Sequence, residues 1–161
     1  MATSPDAAAG PAPAMSLTEW LRERTDDQLA EILRLRPDLA LPAPADLAML
    51  ASRLSVRTSV QRAVDSLNAF TLRLLEGLVI AGVAETPVAV SAAAQLLGDV
   101  DEEHVATALD RLLALGLVWG PADSLRLVPT VRETVGTYPA GLGRPAADLL
   151  RYVSDLQLAA V

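Results

Sequence analysis

The stretch Leu109-x-x-Leu112-x-x-x-Gly116-Leu117-Val118 constrains the fold of this chain more than any other. Val105, Leu109, Leu112 and Leu113 recur at helical spacing, and the apolar period then changes from about 3.6 to about 2 at a single glycine. Gly116 is expected to end the helix in the left-handed region, which residues with a Cβ avoid. Leu117-Val118-Trp119 reads as a strand and Gly120-Pro121-Ala122-Asp123 as a turn. Ser124 to Val128 makes the return strand, with Leu125 and Leu127 alternating against Arg126. Upstream, Asn68 can cap a helix through about Ala81 that buries Phe70, Leu74, Leu75, Leu78 and Val79. A turn at Gly82 and Thr86-Pro87 leads to a helix over Val90 to Leu97, closed by Gly98, and Asp99 or Asp101 caps the next. Three helices followed by a two-stranded ribbon is the order of a winged helix-turn-helix. An ordinary αα-hairpin with a β-turn is the alternative.

The rest of the core must be built almost without rings. Hydrophobic residues make up 52% of the 161 residues but aromatics only 3%, which favours packed helices of Leu, Ala and Val over a β sandwich. Ser16 or Thr18 caps a short helix carrying Leu17, Trp20 and Leu21. Thr25 with Gln28 forms a capping box opening a second helix, whose Leu29, Ile32, Leu33 and Leu35 form its stripe. Pro37 ends it, and Leu41-Pro42-Ala43-Pro44 is a stiff connector. A third helix runs from about Asp46 with Leu47, Leu50, Ala51 and Leu54 inward. A fourth starts near Thr58 with Val60, Val64 and Leu67. None would persist alone in water, so mutual packing must hold them. The expected class is therefore mainly α, a short helical bundle followed by a winged helix-turn-helix with a two-stranded β wing.

The ends carry less information. Residues 1–15 lack the basic start and apolar stretch of a signal peptide and read as a disordered Ala/Pro tail, which places the protein in the cytoplasm. No apolar run approaches the roughly eighteen residues a membrane span needs. Residues 16–66 read as a helical subdomain and 67–136 as the winged-helix unit, with Val131 to Val135 a short helix after the wing. Residues 137–161 read as a loop, Tyr138 to Pro145, and then helices that continue in a longer protein or else pack back onto the core. Gly141 and Gly143 do not make a phosphate loop, since no strand precedes them and Pro145 follows.

Composition also narrows the chemistry. There is no cysteine, and all 13 basic residues are arginine. Disulfides, thiolate metal sites, P-loop lysines and Schiff bases are thereby excluded from this chain. His104, the single histidine, follows Asp101-Glu102-Glu103 at a helix start, where acids favour the dipole. That reads as a solvated helix end and offers neither a converging metal site nor a catalytic group. No catalytic residue, cofactor or metal is expected.

Net charge is −7, with residues 76–161 holding five arginines against eleven acids. If the helix from Asp101 to Leu115 read DNA, its outward positions would be Glu102, Glu103, Thr107, Asp110 and Arg111. Base reading wants Arg, Lys, Asn or Gln there, with positive flanks on the phosphates. Arg53, Arg57 and Arg62, with Arg73, Arg22, Arg24, Arg34 and Arg36, form the basic surface available for weak DNA contact. Eight acids interleave with them. Trp20 and Trp119 read as partial-core anchors. Trp119 and Arg126 on the wing are the candidates for a partner contact, a reading that an exposed Trp119 favours and a buried one weakens.

Four strings together resemble one family. They are Leu17-Thr18-Glu19-Trp20-Leu21-Arg22, Leu33-Arg34-Leu35-Arg36-Pro37-Asp38-Leu39, Arg126-Leu127-Val128-Pro129 and Tyr138-Pro139-Ala140-Gly141-Leu142-Gly143. The resemblance is to the amino-terminal part of actinobacterial helicase-associated proteins, which carry a region similar to the amino-terminal domain of XPB-type DNA repair helicases. It implies a setting in DNA repair or metabolism and supplies no active site. The implied role is an interaction or scaffold module, non-catalytic, whose protein partner is an XPB-type helicase or the rest of its own longer chain. A DNA-binding winged-helix module of a repair accessory protein or transcriptional regulator is the other reading.

Overall fold

The computed structural model describes residues 15–82 and 86–136. It is mainly helical: a bundle of short helices followed by a winged helix-turn-helix. The bundle comprises α1 (Leu17–Arg22), α2 (Asp26–Leu35), α3 (Leu47–Leu54) and α4 (Arg57–Asp65), with a single 3₁₀ turn at Pro37–Leu39. The winged unit comprises α5 (Ala69–Ala81), α6 (Val90–Leu97), α7 (Glu102–Ala114), β1 (Val118–Trp119), β2 (Arg126–Leu127) and α8 (Pro129–Val135).

Local chemistry explains most of these boundaries. Ser16, and not Thr18, caps α1: its hydroxyl accepts from the Glu19 N–H at 3.2 Å, while the Glu19 carboxylate accepts from the Ser16 N–H at 2.7 Å. Thr25 and Gln28 make the expected reciprocal pair on α2. Asp46, Asn68 and Asp101 cap α3, α5 and α7. Ser55 closes α3 and Val56 opens α4, so Arg53 and Arg57 sit on different helices. The helix α8 starts at Pro129, two residues earlier than the apolar pattern suggests. Proline at its first turn fits, because the N–H it lacks would have had no partner there.

The end of α7 is a Schellman motif. The Gly116 N–H donates to the Leu113 carbonyl at 2.9 Å and the Leu117 N–H to the Leu112 carbonyl at 3.1 Å, with Gly116 at φ +61°. The chain then enters β1, which pairs antiparallel with β2 in the register Val118↔Leu127 and Trp119↔Arg126. Ser124 N–H closes the turn on the Pro121 carbonyl at 2.9 Å, at the tip expected from the sequence. One pairing has no counterpart in the sequence reading. Val88 forms an antiparallel bridge with Leu125, both N–H···O bonds at 2.8 Å. The return strand is thus tied to the segment between α5 and α6 as well as to β1.

A single apolar cluster runs from Leu17 through Leu54, Leu75 and Leu112 to Val131. α2 packs on α7 and α4 packs on α8, so bundle and winged unit share this core. Phe70 and Leu113, expected inside, are only half-buried at its margin. Among the described residues no helix is long and apolar enough to cross a membrane. The expected tail at residues 1–15 lies outside the described residues except for Met15, and so do the loop and helices expected over 137–161.

Candidate interaction surface

The outward face of α7 is set by the stripe that faces inward. Val105, Ala108, Leu109 and Leu112 are buried, which turns Glu102, Glu103, Thr107 and Asp110 to solvent and leaves Arg111 half-buried. Asp101 organises the beginning of this face. One of its carboxylate oxygens accepts from the Glu103 N–H at 3.2 Å, and the other lies 3.1 Å from Nδ1 of the exposed His104. The His104 ring meets Phe70 edge-on at 6.2 Å between centroids. No group of three or more potential metal ligands forms among the described residues.

Two hollows flank the helix. A shallow one of about 650 Å³ lies where α5 begins, lined by Ala69, Phe70, Glu103, His104, Thr107 and Ala108 among others. A smaller cleft of about 260 Å³ at the other end of α7 brings Asp110 and Leu113 against Trp20, Arg24, Glu31 and Ile32. There the Arg24 guanidinium stacks on the Trp20 ring, 4.7 Å from its centroid.

The wing gathers the two residues singled out as partner contacts. Trp119 and Arg126 line one cavity of about 410 Å³ with Thr86, Leu127, Val128, Pro129 and Arg132. Trp119, however, is only 9% exposed, and its indole N–H donates to the Met15 carbonyl at 3.3 Å. It is a core side chain that ties Met15, just before α1, to the wing, which weakens its role as an anchor for a partner. Arg132 donates to the carbonyls of Val79 and Gly82 at 3.2 and 2.8 Å, where a cation complements the carboxy-terminal end of α5.

The arginines expected to form a basic surface are dispersed. Arg53 donates to the carbonyls of Leu39 and Pro42 and to Sδ of Met49, so its guanidinium fastens the connector. Arg34 pairs with Glu31 on its own helix. Arg57 and Arg62 are exposed on α4, but five residues apart they point in different directions.

Arg36 departs furthest from the sequence reading, which counted it with the surface cations. It is 2% exposed, the largest fully buried side chain among the described residues. Nη1 donates to the Leu115 carbonyl at 3.0 Å, and Nη2 to the Leu54 carbonyl at 3.4 Å and the Ser59 hydroxyl at 2.6 Å. Ser59 passes its own proton toward Asp38. One guanidinium therefore satisfies carbonyls at the ends of both α3 and α7, and Asp38 balances its charge through a hydroxyl. Burial lowers the Arg36 pKa to about 10 while Asp38 opposes the shift. No local signal announces this burial, because the partners arrive from distant elements.

Fold and surface together define a helical bundle fused to a winged helix with an acidic outward face. Compared with protein-family models, with curated proteins and with solved structures, the chain matches none of them.

Proposed function

We propose that this chain is a non-catalytic protein-contact module whose winged helix meets a protein surface and not the groove of DNA. One observation carries the reading. The helix that would enter the major groove presents Glu102, Glu103 and Asp110 to solvent, and its Arg111 is half-buried. Carboxylates on that face would be driven against phosphates with few cations to hold the helix in register. The resemblance to helicase-associated proteins supports a cytoplasmic setting in DNA repair or metabolism. The partner in this reading is an XPB-type helicase or a further part of the protein's own longer chain.

The DNA-reading alternative, a repair accessory or transcriptional regulator, draws support from half-exposed Arg126 on the wing and exposed Arg57 and Arg62 on α4. A pull-down separates the two readings, using the full-length protein with a purified XPB-type helicase and, in parallel, with duplex DNA. Retention of the helicase and not of the DNA is expected. Retention of DNA alone would replace the proposal with the alternative.

A further inference from the structure

We infer that the hollow between the start of α5 and the first half of α7 receives a basic, amphipathic segment of a protein partner. The inference rests on the protein-contact reading and names the chemistry of what is contacted. The apolar lining of the hollow is exposed Ala69, half-buried Phe70 and the buried Ala108, with Thr71 buried beside them. Phe70 is the single phenylalanine of the chain, and it stands at a surface although the core is short of large side chains. At about 650 Å³ the hollow has room for one or two side chains of a partner.

Its rim decides the occupant. Glu103 lines it, with Asp101 and Glu102 exposed alongside on the same turn, and residues 76–161 as a whole carry an excess of acids. An acidic segment would be repelled, and a purely apolar one would leave the carboxylates facing it without compensation. An arginine fits both parts of the surface. Its aliphatic stem and planar head pack on the Phe70 ring while the guanidinium fork meets the Glu103 carboxylate. Neighbouring apolar residues of the segment cover Ala69 and Ala108. Complementary charge over the surrounding acids steers the approach and sets its salt dependence.

The test uses the full chain, ¹⁵N-labelled, titrated with two synthetic amphipathic peptides roughly twelve residues long. Both carry leucine at helical spacing; one has arginine elsewhere and the other glutamate. The arginine peptide is expected to shift the amides of Ala69, Phe70, Glu103, His104 and Thr107, and the glutamate peptide to leave them in place. The exposed substitutions Glu102→Gln and Glu103→Gln together should weaken the arginine peptide roughly three- to tenfold. Ala69→Arg, also at an exposed position, should weaken it without touching the acids. No shifts in the hollow, or shifts indifferent to these substitutions, would overturn the inference. Binding that maps instead to the cleft beside Trp20 would overturn it and leave the protein-contact reading standing. Duplex DNA shifting the same α7 amides would remove both.

Discussion

Arg36 and Leu115 lie 79 residues apart and are joined by a buried hydrogen bond, Nη1 to carbonyl, at 3.0 Å. The bond binds the end of the second bundle helix to the end of the helix that leads into the wing. It forms where Gly116 brings the backbone within contact of Leu54, so a charge and a packing contact fix the same junction.

Replacing Arg36 tests that junction. Arg36→Ala leaves the carbonyls of Leu54 and Leu115 and the Ser59 hydroxyl without their donor, and Asp38 without its cation. Such a loss should cost about 3–5 kcal/mol in urea denaturation. Arg36→Lys should recover only part of it, because an ammonium cannot reach three acceptors as a planar fork does. A lysine variant as stable as wild type would show that the fork geometry is unimportant.

Leu112 and Gly116 probe the core and the stop beside it. Leu112 is fully buried, and Leu112→Ala should destabilise by about 2–5 kcal/mol. At Gly116 a Cβ would lie 2.8 Å from Cδ2 of Leu54, on a backbone at φ +61°. Gly116→Val should therefore be worse than Gly116→Ala, since a β-branched side chain adds strain to the clash. Thermal melts coinciding with wild type for either residue would contradict the register of α7.

Glu19 offers a pH test. The Ser16 backbone N–H, and then the Ser16 hydroxyl, hold its carboxyl below the usual value. A depressed folded pKa means the unfolded chain binds the proton more readily. The cap's contribution is thus present above the ordinary carboxylate range and lost as pH falls through the lowered value. The Glu19 carboxyl resonance should titrate below that of an unstructured peptide. Glu19→Gln, which keeps an acceptor for the Ser16 N–H, should make stability less sensitive to acid. An unshifted titration midpoint would mean the cap does not form in solution.

Much of this architecture was legible because local chemistry and periodicity agreed. Thr25 with Gln28, Asn68, Asp101, Gly98 and Gly116 mark ends that need no distant partner, and the apolar stripes give the helices between them. What escaped was non-local. The Val88–Leu125 bridge involves a lone residue with no strand pattern of its own, so nothing in the local sequence announces it. Charge usually stays in water, so nothing in the sequence points Arg36 and Arg53 inward. Their partners are backbone carbonyls, which every residue supplies and no sequence distinguishes. Trp119 was legible as an apolar anchor, but the partner of its indole N–H is the carbonyl of Met15, 104 residues away. The acidic face of α7 was read directly, since the buried stripe dictates what points outward.

Whether the acidic face of α7 keeps this winged helix out of the DNA groove is tested most directly by fluorescence anisotropy. Labelled duplex DNA is titrated with the chain at two salt concentrations, and again with Arg→Ala variants. Nonspecific affinity grows steeply with the number of basic contacts through counterion release. The expected dissociation constant is no tighter than about 10⁻⁵ M near physiological salt. Any residual binding should fall with Arg57→Ala and Arg62→Ala, and not with Arg53, whose guanidinium is held by Leu39 and Pro42. Submicromolar, strongly salt-dependent binding that vanishes on changing Arg111 or Arg126 would contradict the account and make the winged helix a DNA reader.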